Sequence, residues 1–134
     1  MQAFLVELAN KPGELADVAE ALAAKGINIT AISGTACGDG GPAAIMTSDE
    51  ALTRTALDAT GHQHKYTVME ATDTALRHEP GTLAKAARRL ADEGINIDAI
   101  MPIGMEGNEI HVAFVTSDAA KARQVLSSAG MASR

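Results

Sequence analysis

The sequence predicts an α+β protein of two β-α-β-β-α-β units, each an antiparallel sheet with its helices on one face. Three observations predict it. First, the chain repeats itself. Pro12-Gly13-Glu14-Leu15-Ala16 opens a segment that ends Gly26-Ile27-Asn28-Ile29-Thr30-Ala31-Ile32. Pro80-Gly81-Thr82-Leu83-Ala84 opens another that ends Gly94-Ile95-Asn96-Ile97-Asp98-Ala99-Ile100. Over residues 12–32 and 80–100, 13 of 21 positions are identical at an offset of 68, which means two copies of one unit. Second, apolar residues in each copy switch between strand and helical spacing. Third, a glycine follows each helical pattern where a helix stop is expected.

The elements follow in order. Residues 2–9 carry Phe4, Leu5, Val6 and Leu8 and are too short for a typical helix, so a buried strand is expected. Pro12 suits the first turn of a helix. Leu15, Val18, Ala19, Leu22 and Ala23 then recur at helical spacing, and Gly26 stops them. Residues 27–32 alternate as a second strand. Gly38, Gly40, Gly41 and Pro42 make a turn, and Ala43–Met46 is a third strand. Thr47-Ser48-Asp49 supplies the cap of a second helix that Gly61 stops. His64–Met69 is a fourth strand. The second copy repeats the plan with strands at 71–77, 95–103 and 109–116 and helices at 80–93 and 118–129. Its middle loop is one residue longer, because Thr116-Ser117-Asp118 trails Thr47-Ser48-Asp49 by 69. Only Met131–Arg134 follow Gly130, so its last strand is truncated. This is the ferredoxin-like plan, used twice, with units at 1–70 and 71–134. Residues 62–79 hold neither Gly nor Pro, so no flexible linker separates the units. The run from His64 to Arg77 can form one long strand.

Composition narrows the function. The net charge of -6 disfavours a nucleic-acid backbone as partner. Phe4, Tyr66 and Phe114 are the only aromatics, too few for base stacking. Cys37 is the only cysteine, which excludes an internal disulfide and suits a reducing compartment. The start has no basic head, and no apolar run approaches the roughly 20 residues of a membrane span. A soluble, cytoplasmic protein without membrane partners is expected.

Asn10-Lys11-Pro12-Gly13-x-Leu15, a helix, then Gly26-Ile27-Asn28-Ile29 resembles the ACT domain, a small-molecule sensing module attached to many enzymes of amino-acid metabolism. His78-Glu79-Pro80-Gly81-x-Leu83 and Gly94-Ile95-Asn96-Ile97 resemble it again. The resemblance covers nearly the whole chain and implies a free-standing tandem regulatory protein without a catalytic domain. It implies an amino acid bound between two paired modules, held by the strand-to-helix loop of one and the Gly-x-Asn strand of the other. One site would join Asn10, Lys11, Pro12 and Gly13 to Asn96 and Ile97. The other would join His78, Glu79, Pro80 and Gly81 to Asn28 and Ile29. His78 departs from the family's usual polar residue, and Glu79 replaces Lys11, so unequal sites are implied. A partner enzyme of amino-acid metabolism is implied as well.

The residues support this independently. A helix start offers unpaired N–H groups and a partial positive charge. Gly13 and Gly81 lack a Cβ, so a carboxylate could approach the backbone. A plainer reading stands beside it: Pro and Gly start a helix, Asn10 turns the chain, and Asn28 and Asn96 bond nearby backbone.

Other classes fare worse. His62 and His64 would share an exposed strand end and are too few for a zinc site, so neither metal nor cofactor is expected. His111 is expected on the less buried side of its strand. Cys37 reads as inert. Met46, Met69, Met101 and Met105 read as core filler. A phosphatase of this fold would need an arginine in the 10–13 loop, a metallochaperone a cysteine pair, and an RNA binder sheet aromatics. No nucleophile–base set is visible, so no enzyme is expected. A ligand-free pairing module is the serious rival to an amino-acid sensor. The truncated edge of the second sheet suggests a homodimer.

Overall fold

The structure, a computed structural model, describes residues 1–61 and 64–131. It has the expected α+β plan. The elements are β1 (Gln2–Val6), α1 (Glu14–Ala23), β2 (Ile29–Gly34), β3 (Ala43–Thr47), α2 (Glu50–Ala59) and β4 (Tyr66–Arg77), then α3 (Thr82–Asp92), β5 (Ile97–Glu106), β6 (Glu109–Thr116) and α4 (Ala119–Ser128). Two compact units are present, Gln2–Met69 and Met1 with Glu70 onward. The unbroken run after His64 forms one strand of 12 residues, β4. Tyr66–Met69 of this strand belongs to the first unit and the rest to the second.

In the first unit the strand order is β2-β3-β1-β4. Central β3 aligns Ile45 with Phe4 of β1 and Ile32 of β2. Phe4, Val6, Val18, Leu22, Ile45 and Leu57 form its core. Burying each such side chain contributes about 1.5–3 kcal/mol. Tyr66 closes one end, its ring centroid 6.0 Å from that of Phe4. Ile27, expected in β2, precedes the strand and is buried in the same core. Likewise β1 stops at Val6 rather than continuing to residue 9.

In the second unit the order is β4-β6-β5, with β6 paired to β4 from Ala71↔Val115 to Arg77↔Glu109. Leu76, Leu90, Val112, Phe114 and Leu126 fill its core. Among the described residues this unit has three strands. Both units carry a bulge at the same place, between Ile29 and Ala31 and between Ile97 and Ala99.

Three expectations change. His111 is buried, 7% exposed, with its Nδ1 3.1 Å from Asp73 Oδ1. It lies on the central strand of its unit, where every residue from His111 to Thr116 is buried, and Asp73 supplies the polar partner burial demands. Met105 is no core filler; it sits near the tip of β5 and is 62% exposed. His64 is no exposed strand end; it precedes β4 and is 2% exposed. Its expected companion, His62, lies outside the described residues.

A candidate ligand cleft at the start of the first helix

The four helices among the described residues start in two ways. Asp49 caps α2 and Asp118 caps α4, each carboxylate accepting from a first-turn N–H, of Leu52 at 2.9 Å and of Lys121 at 3.1 Å. The repeat-related helices α1 and α3 start instead on Gly13 and Gly81, both with φ of 92° and no side-chain cap. A Cβ on either glycine would meet nothing within 4 Å. Their left-handed backbone therefore demands glycine. The uncapped first turns leave N–H groups free for a ligand or water.

The loop before α1 is strapped to the tip of the β2–β3 hairpin. The Asn10 amide N–H donates to the Asp39 carbonyl at 2.8 Å, and its side-chain Nδ2 donates to the Gly38 carbonyl at 3.0 Å. The Gly41 N–H donates to the Leu8 carbonyl at 2.8 Å. Glu14 reaches back from the helix, its Oε1 accepting from the Ala9 N–H at 2.9 Å. Between these straps lies a cleft of about 320 Å³. Asn10, Lys11 and Glu14 form its polar side, and Leu15, Ile32 and Pro42 its apolar side. Leu15 and Ile32 stay 47% and 44% exposed, large for aliphatic residues, so the cleft offers open apolar surface. Lys11 has no ion pair among the described residues.

The second unit differs at the matching place. Its hairpin stays paired out to Glu106↔Glu109, around the turn Gly107-Asn108, with a bulge between Pro102 and Gly104. In the first unit the ladder ends at Gly34↔Ala43, followed by a long bond from the Thr35 N–H to the Pro42 carbonyl at 3.3 Å and an isolated Cys37↔Gly40 bridge before the tip. The cause is local. Gly40-Gly41-Pro42 stands where the second copy has Glu109-Ile110-His111. Proline donates no N–H to a ladder, and glycine is a poor strand former. The freed Gly41 N–H turns to Leu8, which helps shape the cleft wall. The His78 N–H does bond the Asn108 carbonyl at 2.8 Å, matching Asn10 and Asp39. Thr82 replaces Glu14, its hydroxyl donating to the Arg77 carbonyl at 2.7 Å. Glu79 and Pro80 are exposed on this loop.

Asn28 and Asn96 each sit before a bulge and each exchange backbone bonds with a serine. The Asn28 N–H donates to Ser48 Oγ at 2.9 Å, and Asn96 N–H to Ser117 Oγ at 3.0 Å. Their side chains diverge. Asn96 Nδ2 donates to Asp98 Oδ1 at 2.9 Å, whereas the Asn28 side chain has no partner among the described residues. The carboxylate beside Asn96 opposes a second anion there. Thr30, its counterpart, brings no charge to Asn28. Asn10 and Lys11 thus line one cleft with Glu14 and Leu15 of the helix start, while Pro12 and Gly13 are not among its lining residues, and His78–Gly81 form a matching but differently lined start. Residue types alone did not reveal Glu14, Leu15, Ile32 and Pro42 as lining residues. The available signal was the Gly-Gly-Pro interruption of a hairpin that its own repeat keeps paired to the tip.

The ACT domain family model matches residues 3–57, within the first unit. Among solved structures, the protein BT0572 from Bacteroides thetaiotaomicron is similar at 25% identity and a TM-score of 0.81, over 99% of this chain and 90% of that one. The regulatory subunit of aspartate kinase from Thermus thermophilus, in its ligand-free form, shares the fold at 21% identity and a TM-score of 0.67, over 96% of this chain and 91% of that one. The structure of aspartokinase alpha and beta subunits aligns at 22% identity and a TM-score of 0.65, over 96% and 91% of the two chains. No curated protein matches the chain.

Proposed function

We propose that the chain is a small-molecule regulatory protein with two ACT units, and that an amino acid is its ligand. One observation carries the reading: an uncapped helix start, a free lysine and an open apolar wall meet in a single cleft. A ligand carboxylate would lie at the first turn of α1 near Lys11. The helix-end field contributes about 0.3–1 kcal/mol to an anion there. Hydrogen bonds to a charged group contribute about 1.5–3 kcal/mol each. Two or three such contacts support micromolar to millimolar affinity after association costs. A small or aliphatic side chain would cover Leu15 and Ile32. Asn10, Lys11, Pro12 and Gly13 are the proposed ligand residues of this half. His78, Glu79, Pro80 and Gly81 are those of a second, weaker start. Asn28, Ile29, Asn96 and Ile97 enter the proposal through the resemblance.

The regulatory part of the reading is supported by the ACT match and by a fold that serves as a kinase regulatory subunit in Thermus thermophilus. A partner enzyme of amino-acid metabolism, a homodimer and a cytoplasmic setting are proposed with it, and catalysis is not. No helix among the described residues is long and apolar enough to cross a membrane. A thermal-shift screen of the twenty amino acids tests the proposal. A ligand at 100 times its dissociation constant adds about 2.7 kcal/mol of stability. A flat screen would favour the ligand-free pairing module.

A further inference from the structure

We propose that His64, Glu14 and Asp17 form a binding site for a divalent first-row transition-metal ion. The three side chains lie in one unit, and one ligand atom from each falls within 4.8 Å of the other two. Glu14 and Asp17 are three apart in the first turn of α1, so they share a helix face. His64 enters from the segment just before β4.

The imidazole is the decisive observation. His64 is 2% exposed, and neither ring nitrogen has a hydrogen-bond partner among the described residues. Buried polar groups are nearly always partnered, so an unpaired imidazole beside two carboxylates points to a group that bonds all three. One neutral imidazole and two carboxylates form a mixed nitrogen–oxygen set carrying two negative charges. That set suits zinc, cobalt, nickel or manganese better than calcium, which prefers oxygen alone. Ligands on one zinc, with bonds of about 2.0–2.2 Å, lie roughly 3–4 Å apart. A small rotation of exposed Asp17 closes that gap. Glu14 is already oriented, since its Oε1 holds the Ala9 N–H and its other oxygen is left for the ion. The positive end of α1 opposes a cation, but it amounts to about half a charge against two full ones. Three protein ligands leave coordination positions for water. The site shares Glu14 with the ligand cleft but does not depend on what the cleft binds.

The test uses the full chain, stripped with a chelator and dialysed against zinc and, separately, cobalt chloride. One ion per chain is expected, with visible absorption bands in the cobalt form. His64→Gln and Asp17→Asn should each weaken binding at least tenfold, while Cys37→Ser leaves it unchanged. If His64→Gln does not fold, Asp17→Asn decides alone, because Asp17 is on the surface. Absence of stoichiometric metal, or wild-type affinity in Asp17→Asn, would overturn the site.

Discussion

The imidazole of His111 and the carboxylate of Asp73 meet at 3.1 Å across the β4–β6 ladder, both largely buried. Removing one partner strands the other, which costs about 1–3 kcal/mol for a buried polar group. Asp73→Ala is therefore expected to destabilise the protein by about that amount, and Asp73→Asn by less, since an amide still accepts a hydrogen bond. Urea unfolding of the two variants checks this. Equal losses would show that the pair acts through packing and not through its bond.

Tyr66 makes a second polar contact with a readable pH dependence. Its hydroxyl donates to Asp58 Oδ1 at 2.6 Å. That bond, then partial burial and the negative charge of Asp58, raises the phenol above its ordinary value, against a small opposing effect of Arg54. A raised value in the folded state means the bond's stability is fully present below the unfolded value of about 10. It is lost as pH rises through the folded value. The stability difference between wild type and Tyr66→Phe should hold up to about pH 10 and shrink above it. Tyr66 is the only tyrosine, so phenolate absorbance reports it without interference.

Gly13 separates backbone from ligand effects. Its φ of 92° is costly for any residue with a Cβ, while the space around it is open. Gly13→Ala should lose about 1–2 kcal/mol of stability without a ligand present, and Gly81→Ala a similar amount. Chemical denaturation of both variants would test it. A neutral result would mean that the helix start relaxes to an ordinary turn.

Lys11 and Glu79 occupy equivalent positions with opposite charge. With an amino acid found by screening, Lys11→Glu should weaken binding by about one charge-assisted contact, roughly tenfold. Glu79→Lys should strengthen any second event. Calorimetry that returns two equal sites per chain, untouched by either change, would remove the assignment of these loops.

Assembly can be checked directly. The second unit has three strands among its described residues, and unpaired strand edges tend to be covered. A two-chain mass at micromolar concentration is expected in sedimentation. A single-chain mass that holds on concentration would count against it.

Much of this fold was legible because local signals agreed. Glycine stops, helical apolar spacing and the Asp49 and Asp118 caps each marked an element that formed. The repeat gave two chances to read each one. The misses were tertiary. Alternation along β6 suggested one exposed face, but a central strand can be buried on both faces, so His111 was misplaced. His64 sits beside a run of polar residues and reads as surface, yet its burial depends on how β4 enters beside α1. The left-handed backbone at Gly13 was not legible in the sequence, which marked the residue only as a helix start and a close-approach point. The loop residues of the cleft were visible in part. Its walls were not, because they depend on where a hairpin stops zipping.

That unzipped hairpin has a consequence for dose and response. The chain carries two copies of one plan, but Gly40-Gly41-Pro42 interrupts the hairpin of only one of them. At concentrations where only the looser copy takes up the proposed ligand, occupancy per chain would follow a simple hyperbola. Any steeper response to concentration must then arise from chains acting together rather than from the repeat within one chain.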